Sequence, residues 1–249
     1  MAVALPDPVS ARYGPDVWHG HQARRQIPTL SSGHEKLDRH LPGAGWPLGA
    51  LTELLTATTG SGEFSLLLPA LAAIGAQRSW VMLVDPPWVP YPPAMQGHGL
   101  ALDRVMLIRT RTQKESLWAC EQALRGVRGG AILAWQDDPG FARLRRLQLA
   151  AKAGHKAAFL FRPIRASKQA SPAALRLQLK ASESGTGVSI LKCRGHRHRE
   201  DILIRHPWNW SGERCMEPSP ELVTPNPERA QGESSRTADS ARPGQERPV

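Results

Sequence analysis

The chain has 249 residues, a net charge of +10 and 41% hydrophobic residues, which leaves room for one sizeable core plus an extension and fits a soluble globular protein. Its longest apolar run, Phe64 to Ala76, is too short to span a bilayer and contains Pro69, and no basic-then-apolar leader opens the chain, so neither membrane insertion nor export is expected. Three cysteines, Cys120, Cys193 and Cys215, form no even framework and fit a reducing cytoplasm.

Residues 1–26 carry three prolines and one short predicted helix, Asp16 to Arg25, with Asp16 as its N-cap. From Ile27 to about Pro207, apolar runs alternate with helix-like segments. Ala50 to Leu55 reads as a strand, and Leu66 to Gly75 as the helix after it. Trp80-Val-Met-Leu-Val84, Ala131-Ile-Leu-Ala-Trp135 and Ala157-Ala-Phe-Leu-Phe161 read as buried strands. A helix is predicted over Thr112 to Arg128, where Thr112 and Glu115 have capping-box spacing and Leu117, Cys120, Ala123 and Leu124 share a face. A second helix is predicted from Pro139 to Gly154, capped by Asp138, with Phe141, Leu144, Leu147 and Ala151 in one stripe. Strands alternating with helices predict an α/β fold with a mostly parallel sheet. Past Pro172 the runs Leu175 to Lys180, Gly187 to Cys193 and Asp201 to Arg205 read as antiparallel strands completing it.

Charge divides the chain unevenly. Residues 211–249 hold five Arg against six Glu and one Asp, a net of −2, so residues 1–210 carry +12 of the total. This last segment has six prolines and no aromatic residue, a composition predicting a disordered tail. Between Pro139 and Ser182 there are ten Lys or Arg and no acid. Arg143, Arg146, Lys152, Lys156, Arg162, Arg165 and Lys168 are therefore candidates for a face that meets nucleic acid or an acidic partner, the alternative being a solubilising surface.

Between the first strand and its helix lies Thr56-Ala-Thr-Thr-Gly-Ser-Gly-Glu-Phe-Ser65. Strand, glycine-bearing loop and helix form the setting of a phosphate-binding loop. Such a loop needs two glycines, a lysine for the β/γ oxygens and a Ser/Thr for Mg²⁺. Here Ala57 stands for the first glycine, Gly62 for the second, Glu63 for the lysine and Phe64 for the Ser/Thr, with Gly60 between. A carboxylate a few ångströms from phosphate is repelled by several kcal/mol (order of magnitude, at an effective dielectric near ~20). The pattern reads as a degenerate nucleotide loop, with no cofactor expected.

Ser31-Ser-Gly-His-Glu-Lys-Leu-Asp38 followed by Leu41-Pro-Gly-Ala-Gly-Trp-Pro-Leu-Gly-Ala-Leu-Thr-Glu-Leu-Leu55 resembles the lead-in of the RecA recombinase to its ATP site. Gly45 to Leu55, Leu66 to Leu71, Leu144 to Ala151 and Phe159 to Pro163 resemble the ImuA family, RecA-like accessory proteins of SOS-induced translesion synthesis. This resemblance runs from about Ile27 to Trp208. It implies a single RecA-like domain of the P-loop NTPase type at 27–210. Set against the recombinase, Pro86 and Pro87 follow Asp85 where its catalytic base lies, Trp135 stands for its metal-binding aspartate, and Pro163 for its γ-phosphate sensor. The segment of its long DNA-binding loop is cut to roughly Ala166–Pro172. No acid/base or metal chemistry survives at these positions.

The resemblance implies a non-enzymatic adaptor in error-prone lesion bypass, cytoplasmic and nucleoid-associated after damage. Implied partners are an ImuB-type Y-family-like protein, a DnaE-type polymerase and RecA, with direct DNA contact open and no membrane. It also implies that the C-terminal region helps to hold ImuB, with Trp208, Trp210, Met216, Leu222 and Val223 the apolar side chains able to anchor. The alternatives are a SulA-like cell-division inhibitor and a DNA-dependent ATPase with an unorthodox site. Cys193-Arg-Gly-His196-Arg-His198 lacks a second ligand pair at return spacing, so no metal is expected. Trp80, Trp118 and Trp135 are expected in the core. Trp88 lies in the extended proline-rich run Pro86 to Pro93, read as a docking surface, a lid or a stiff connector.

Overall fold

The computed structural model describes residues 28–60, 62–126, 130–182, 185–193 and 201–205. The segments 1–27 and 206–249, with the predicted helix at Asp16, Trp208, Trp210, Met216, Leu222, Val223 and the tail, lie outside the described residues, as do His196 and His198. A short antiparallel ribbon of β1 (Thr29–Leu30) and β2 (Trp46–Pro47) encloses α1 (Glu35–Asp38). Then come β3 (Ala50–Thr56), α2 (Glu63–Ala76), β4 (Val81–Val84), α3 (Pro92–Gly97) and β5 (Val105–Ile108). They are followed by α4 (Gln113–Arg125), β6 (Ala131–Trp135), α5 (Phe141–Gly154) and β7 (Ala157–Pro163). The last strands are β8 (Leu175–Ser182), β9 (Gly185–Cys193) and β10 (Ile202–Arg205).

Eight strands form one mixed sheet in the order β10-β9-β8-β3-β7-β6-β4-β5. Its pairs are parallel from β8 through β5, while β8–β9 and β9–β10 are antiparallel. The fold is thus α/β with a mostly parallel sheet. Central strands β3 and β7 are buried nearly throughout, because helices cover both faces, and this explains their unbroken apolar runs. Strand side chains alternate between faces. Leu54, Leu83, Leu133 and Phe159 meet α1 and α2 in one core. Leu51, Ile132, Ala158 and Leu160 meet α4 and α5 in the other. Among the described residues, no helix is long and apolar enough to cross a membrane.

Helix α4 begins as its sequence predicts: the Thr112 side chain accepts the Glu115 backbone N–H at 3.2 Å. The Glu115 carboxylate reaches back one residue further than a capping box requires and accepts from Arg111 N–H at 2.9 Å. Helix α5 departs from expectation at both ends. It starts at Phe141 after Gly140 rather than at Pro139, and no side chain caps it. Asp138 is turned instead toward buried Arg162, 3.7 Å away. Gly154 does not close the helix through backbone freedom, since His155 takes the left-handed turn. Glycine is required at 154 because a Cβ there would lie 1.9 Å from the Leu124 carbonyl of α4.

Besides the small β1–α1–β2 unit, two elements of the main fold went unread in the sequence. β5 is a four-residue edge strand with Met106 and Leu107 exposed. α3 occupies the end of the supposedly extended proline run, with prolines suiting its first turn. Trp118 is 64% exposed rather than core, since it falls one residue off the stripe of Leu117, Cys120 and Leu124. Trp80 is 38% exposed, its ring covered by the Arg104 guanidinium at 5.6 Å. Trp135 does pack against the core.

Candidate functional site

The loop between β3 and α2 lies at the carboxyl end of a central parallel strand, where α/β sheets place their ligands. Both its glycines are left-handed, Gly60 with φ 89° and Gly62 with φ 86°. Gly62 heads α2 and no side chain caps the helix there. Left-handed backbone of this kind can turn N–H groups toward a single anion. The anion is supplied from within. Glu63 is 4% exposed, and its Oε1 accepts the Gly60 N–H at 2.6 Å. Ala57 is exposed in the loop. Phe64, at the place of a metal-binding hydroxyl, offers no oxygen and packs on the core. Sequence reasoning gave Glu63 only a repulsive role, whereas the folded loop also uses its charge to fill a backbone anion position.

The neighbouring strand ends are equally committed. Asp85 follows β4 with φ 49°, and its carboxylate accepts Thr110 N–H at 2.7 Å and Thr110 O–H at 2.6 Å. Burial works against its charge, but hydrogen bonds from Ser116 and Thr110 and the Arg109 guanidinium outweigh this and hold its carboxyl below the usual range. A weakly basic carboxylate with its oxygens occupied is a turn-holder rather than a general base. Trp135, at the end of β6, stacks on Phe161 with centroids 4.5 Å apart. A cleft of about 350 Å³ opens beside them, lined by Ala57, Pro87, Trp135, Phe161, Pro163 and Arg165 among others. Among the described residues, no three His, Cys, Asp or Glu side chains gather as metal ligands.

Beneath this end of the sheet lies an ion triad that the sequence reading missed. Glu53 and Arg162 have fully buried side chains 3.1 Å apart, and Arg176 meets the other Glu53 oxygen at 2.6 Å. Arg162 also donates to Gln169 Oε1 at 2.6 Å, and Arg176 to the Ala166 carbonyl at 2.6 Å. The triad ties β3, β7 and β8 to the segment Ile164–Lys168. Glu53 lies 109 and 123 residues from its two arginines, so no local pattern joins it to them. The available signal was three charges set singly in apolar strands, since a buried charge must find a partner.

The predicted basic face is therefore smaller than its sequence. Arg143, Arg146, Lys152 and Lys168 are exposed. Arg162 is buried in the triad, and Lys156 is 1% exposed, its Nζ donating to the Ala123 carbonyl of α4 while burial pushes its pKa down. Acids also approach in space where the sequence had none nearby. Arg165 pairs with Asp137, and Arg146 pairs with Glu121 at 2.6 Å.

The family model described as cell division inhibitor SulA matches residues 49–158, which run from β3 to the start of β7 and contain the loop, both helices of the second core and the Asp85 turn. The cell division inhibitor SulA of Klebsiella aerogenes is 32% identical over 105 residues, 42% of this chain and 62% of that relative. Protein ImuA of Caulobacter vibrioides is 28% identical over 136 residues, 51% of this chain and 54% of its own length. Protein RecA of Bacillus mycoides is 31% identical over 113 residues, 45% of this chain and 32% of its own. The chain is thus similar over part of its length to SulA, ImuA and RecA proteins, and its matches span less than two thirds of each of these relatives.

Proposed function

We propose that this chain is a non-enzymatic accessory protein of SOS-induced, error-prone lesion bypass: a RecA-like domain whose nucleotide site is degenerate and which acts through protein contacts. The observation that carries this reading is the Glu63 carboxylate on the Gly60 N–H, because an ATP phosphate would have to displace an internal anion and would find no lysine, metal ligand or base in place. The ImuA and RecA relatives support the same reading. The partners proposed are an ImuB-type Y-family-like protein, a DnaE-type polymerase and RecA, met in the cytoplasm and at the nucleoid after damage.

A second reading, a cell-division inhibitor, is favoured by the SulA family model and the 32% identical relative. Against it stands the sheet beyond residue 158, where β8, β9 and β10 extend the fold past the matched segment. Deleting the gene and, separately, overproducing the chain in its own host separates the two. Lesion-bypass mutagenesis that falls on deletion, with normal septation on overproduction, supports the accessory role. Filamentation on overproduction with unchanged mutagenesis on deletion replaces it with division inhibition.

A further inference from the structure

Helices α4 and α5 lie side by side on one sheet face, and an open groove of about 320 Å³ runs between their outer sides, bordered by Lys114, Trp118, Glu121, Arg143 and Arg146. The Trp118 indole is 64% exposed, and Phe141, at the start of α5, is 50% exposed. Glu121, the acid in the groove, is shared by Arg146 at 2.6 Å and Arg125 at 3.2 Å. Lys114 and Arg143 make no ion pair among the described residues, and nearby Glu115 is turned back onto the Arg111 N–H. The groove therefore has an excess of positive charge around an exposed indole, with Leu117 and Leu147 as its other apolar lining.

We infer that this groove binds single-stranded nucleic acid, with a base stacked on Trp118 and phosphates held by Lys114, Arg143 and Arg146. An interface for a folded protein would need a contiguous apolar centre and would be poor in lysine. Here the apolar surface is interrupted by cations, the alternation that suits bases and phosphates. Charge complementarity selects a polyanion, and the exposed ring selects one whose bases are free to stack, which excludes a paired duplex. The groove lies on the face opposite α1 and α2 and shares no lining residue with the cleft beside the Gly60 loop, so it requires neither nucleotide nor the partners proposed above.

Fluorescence anisotropy of a labelled oligothymidylate with the purified full chain tests this. Binding is expected to weaken steeply between about 50 and 200 mM salt, as counterion release requires. Trp118→Ala is expected to weaken binding about tenfold, the loss of one stacked base, while Trp118→Phe keeps most of it. Lys114→Glu with Arg143→Glu should weaken binding and flatten its salt dependence. Arg39→Glu, on the opposite face, should change nothing, and far-UV circular dichroism should show every variant folded. An oligouridylate arm separates DNA from RNA, both of which satisfy the inference. Failure to bind either oligomer at low salt overturns it, as does Trp118→Ala binding like the wild type or a duplex binding as tightly as a single strand. Polyglutamate that binds with the same dependence on Trp118 also overturns it and assigns the groove to an acidic polypeptide. The result is independent of the role in lesion bypass, which is read in cells.

Discussion

Replacing Glu53 by Gln keeps the side chain's shape and removes its charge. In the native fold that charge faces Arg162 at 3.1 Å and Arg176 at 2.6 Å, with Glu53 and Arg162 shielded from water. Arg176 would keep carbonyl acceptors on Ala166, Ser167 and Gln169, and Arg162 would keep the Asp137 carbonyl and the Gln169 amide oxygen. The Gln amide offers one oxygen where the carboxylate offered two, so one of the Arg162 Nη1–H and Arg176 Nε–H groups loses its acceptor, and of the two guanidinium charges only that of Arg162 keeps a nearby carboxylate, Asp138 at 3.7 Å. Removing one partner of a buried pair costs about 3–5 kcal/mol, and the retained acceptors put the expected loss near the lower end, about 3 kcal/mol. For a domain of this size that is a fall in Tm of roughly 6–12 °C. Urea unfolding, followed by tryptophan emission and far-UV circular dichroism, should show a lower midpoint with an unchanged slope. A loss below about 1 kcal/mol, the worth of an exposed pair, would refute the triad as the clamp on β3, β7 and β8.

Asp85 has a folded-state pKa below its unfolded value, so its charge contributes stability that is full above the unfolded value and is lost as pH falls through the folded one. The gap in urea midpoint between wild type and Asp85→Asn should hold steady from neutral pH to about 5 and close below about 4; a gap that widens on acidification would overturn the assignment. Gly154→Ala should destabilise by about 1–3 kcal/mol through overpacking against the Leu124 carbonyl, and a neutral result in the same assay would mean α4 and α5 are further apart. Lys156→Glu should unfold the chain or sharply lower its Tm, because it buries an acid beside a carbonyl, whereas Lys152→Glu should leave Tm within about 1–2 °C. Equal and small effects of the two would return Lys156 to the surface.

What was legible in the sequence was what local patterns encode. Continuous apolar runs marked β3, β6 and β7 because parallel strands covered on both faces have no polar side to show. The Thr112 cap marked the start of α4 to the residue, while the helix ends at Arg125, short of the predicted Arg128. β5 escaped because four residues at a sheet edge carry no periodicity, and α3 because prolines read as extended chain although two of them open a helix. Trp118 was misassigned by residue type rather than by position on its helix, and that error hid the ring that borders the α4–α5 groove. Lys156 and Arg162 were counted as surface because a basic run was read along the chain, while their partners, a carbonyl on α4 and a carboxylate on β3, come from far away in sequence. The departures of residues 57–64 from a phosphate-binding pattern were legible from identities alone, but the hydrogen bond from Gly60 to Glu63 goes with two left-handed glycines that no composition specifies.

The central claim is that the loop after β3 is occupied by the protein's own carboxylate and supports no nucleotide chemistry. Its most direct test is calorimetric titration of the full chain with ATP and Mg²⁺, paired with phosphate release in the presence and absence of single-stranded DNA, for wild type and Glu63→Lys. The account predicts no saturable ATP binding and no hydrolysis by the wild type. It also predicts no hydrolysis by Glu63→Lys, since Pro87 and Trp135 still supply neither base nor metal ligand. Tight, Mg²⁺-dependent binding with turnover above background in the wild type, abolished by changing Glu63, would contradict it.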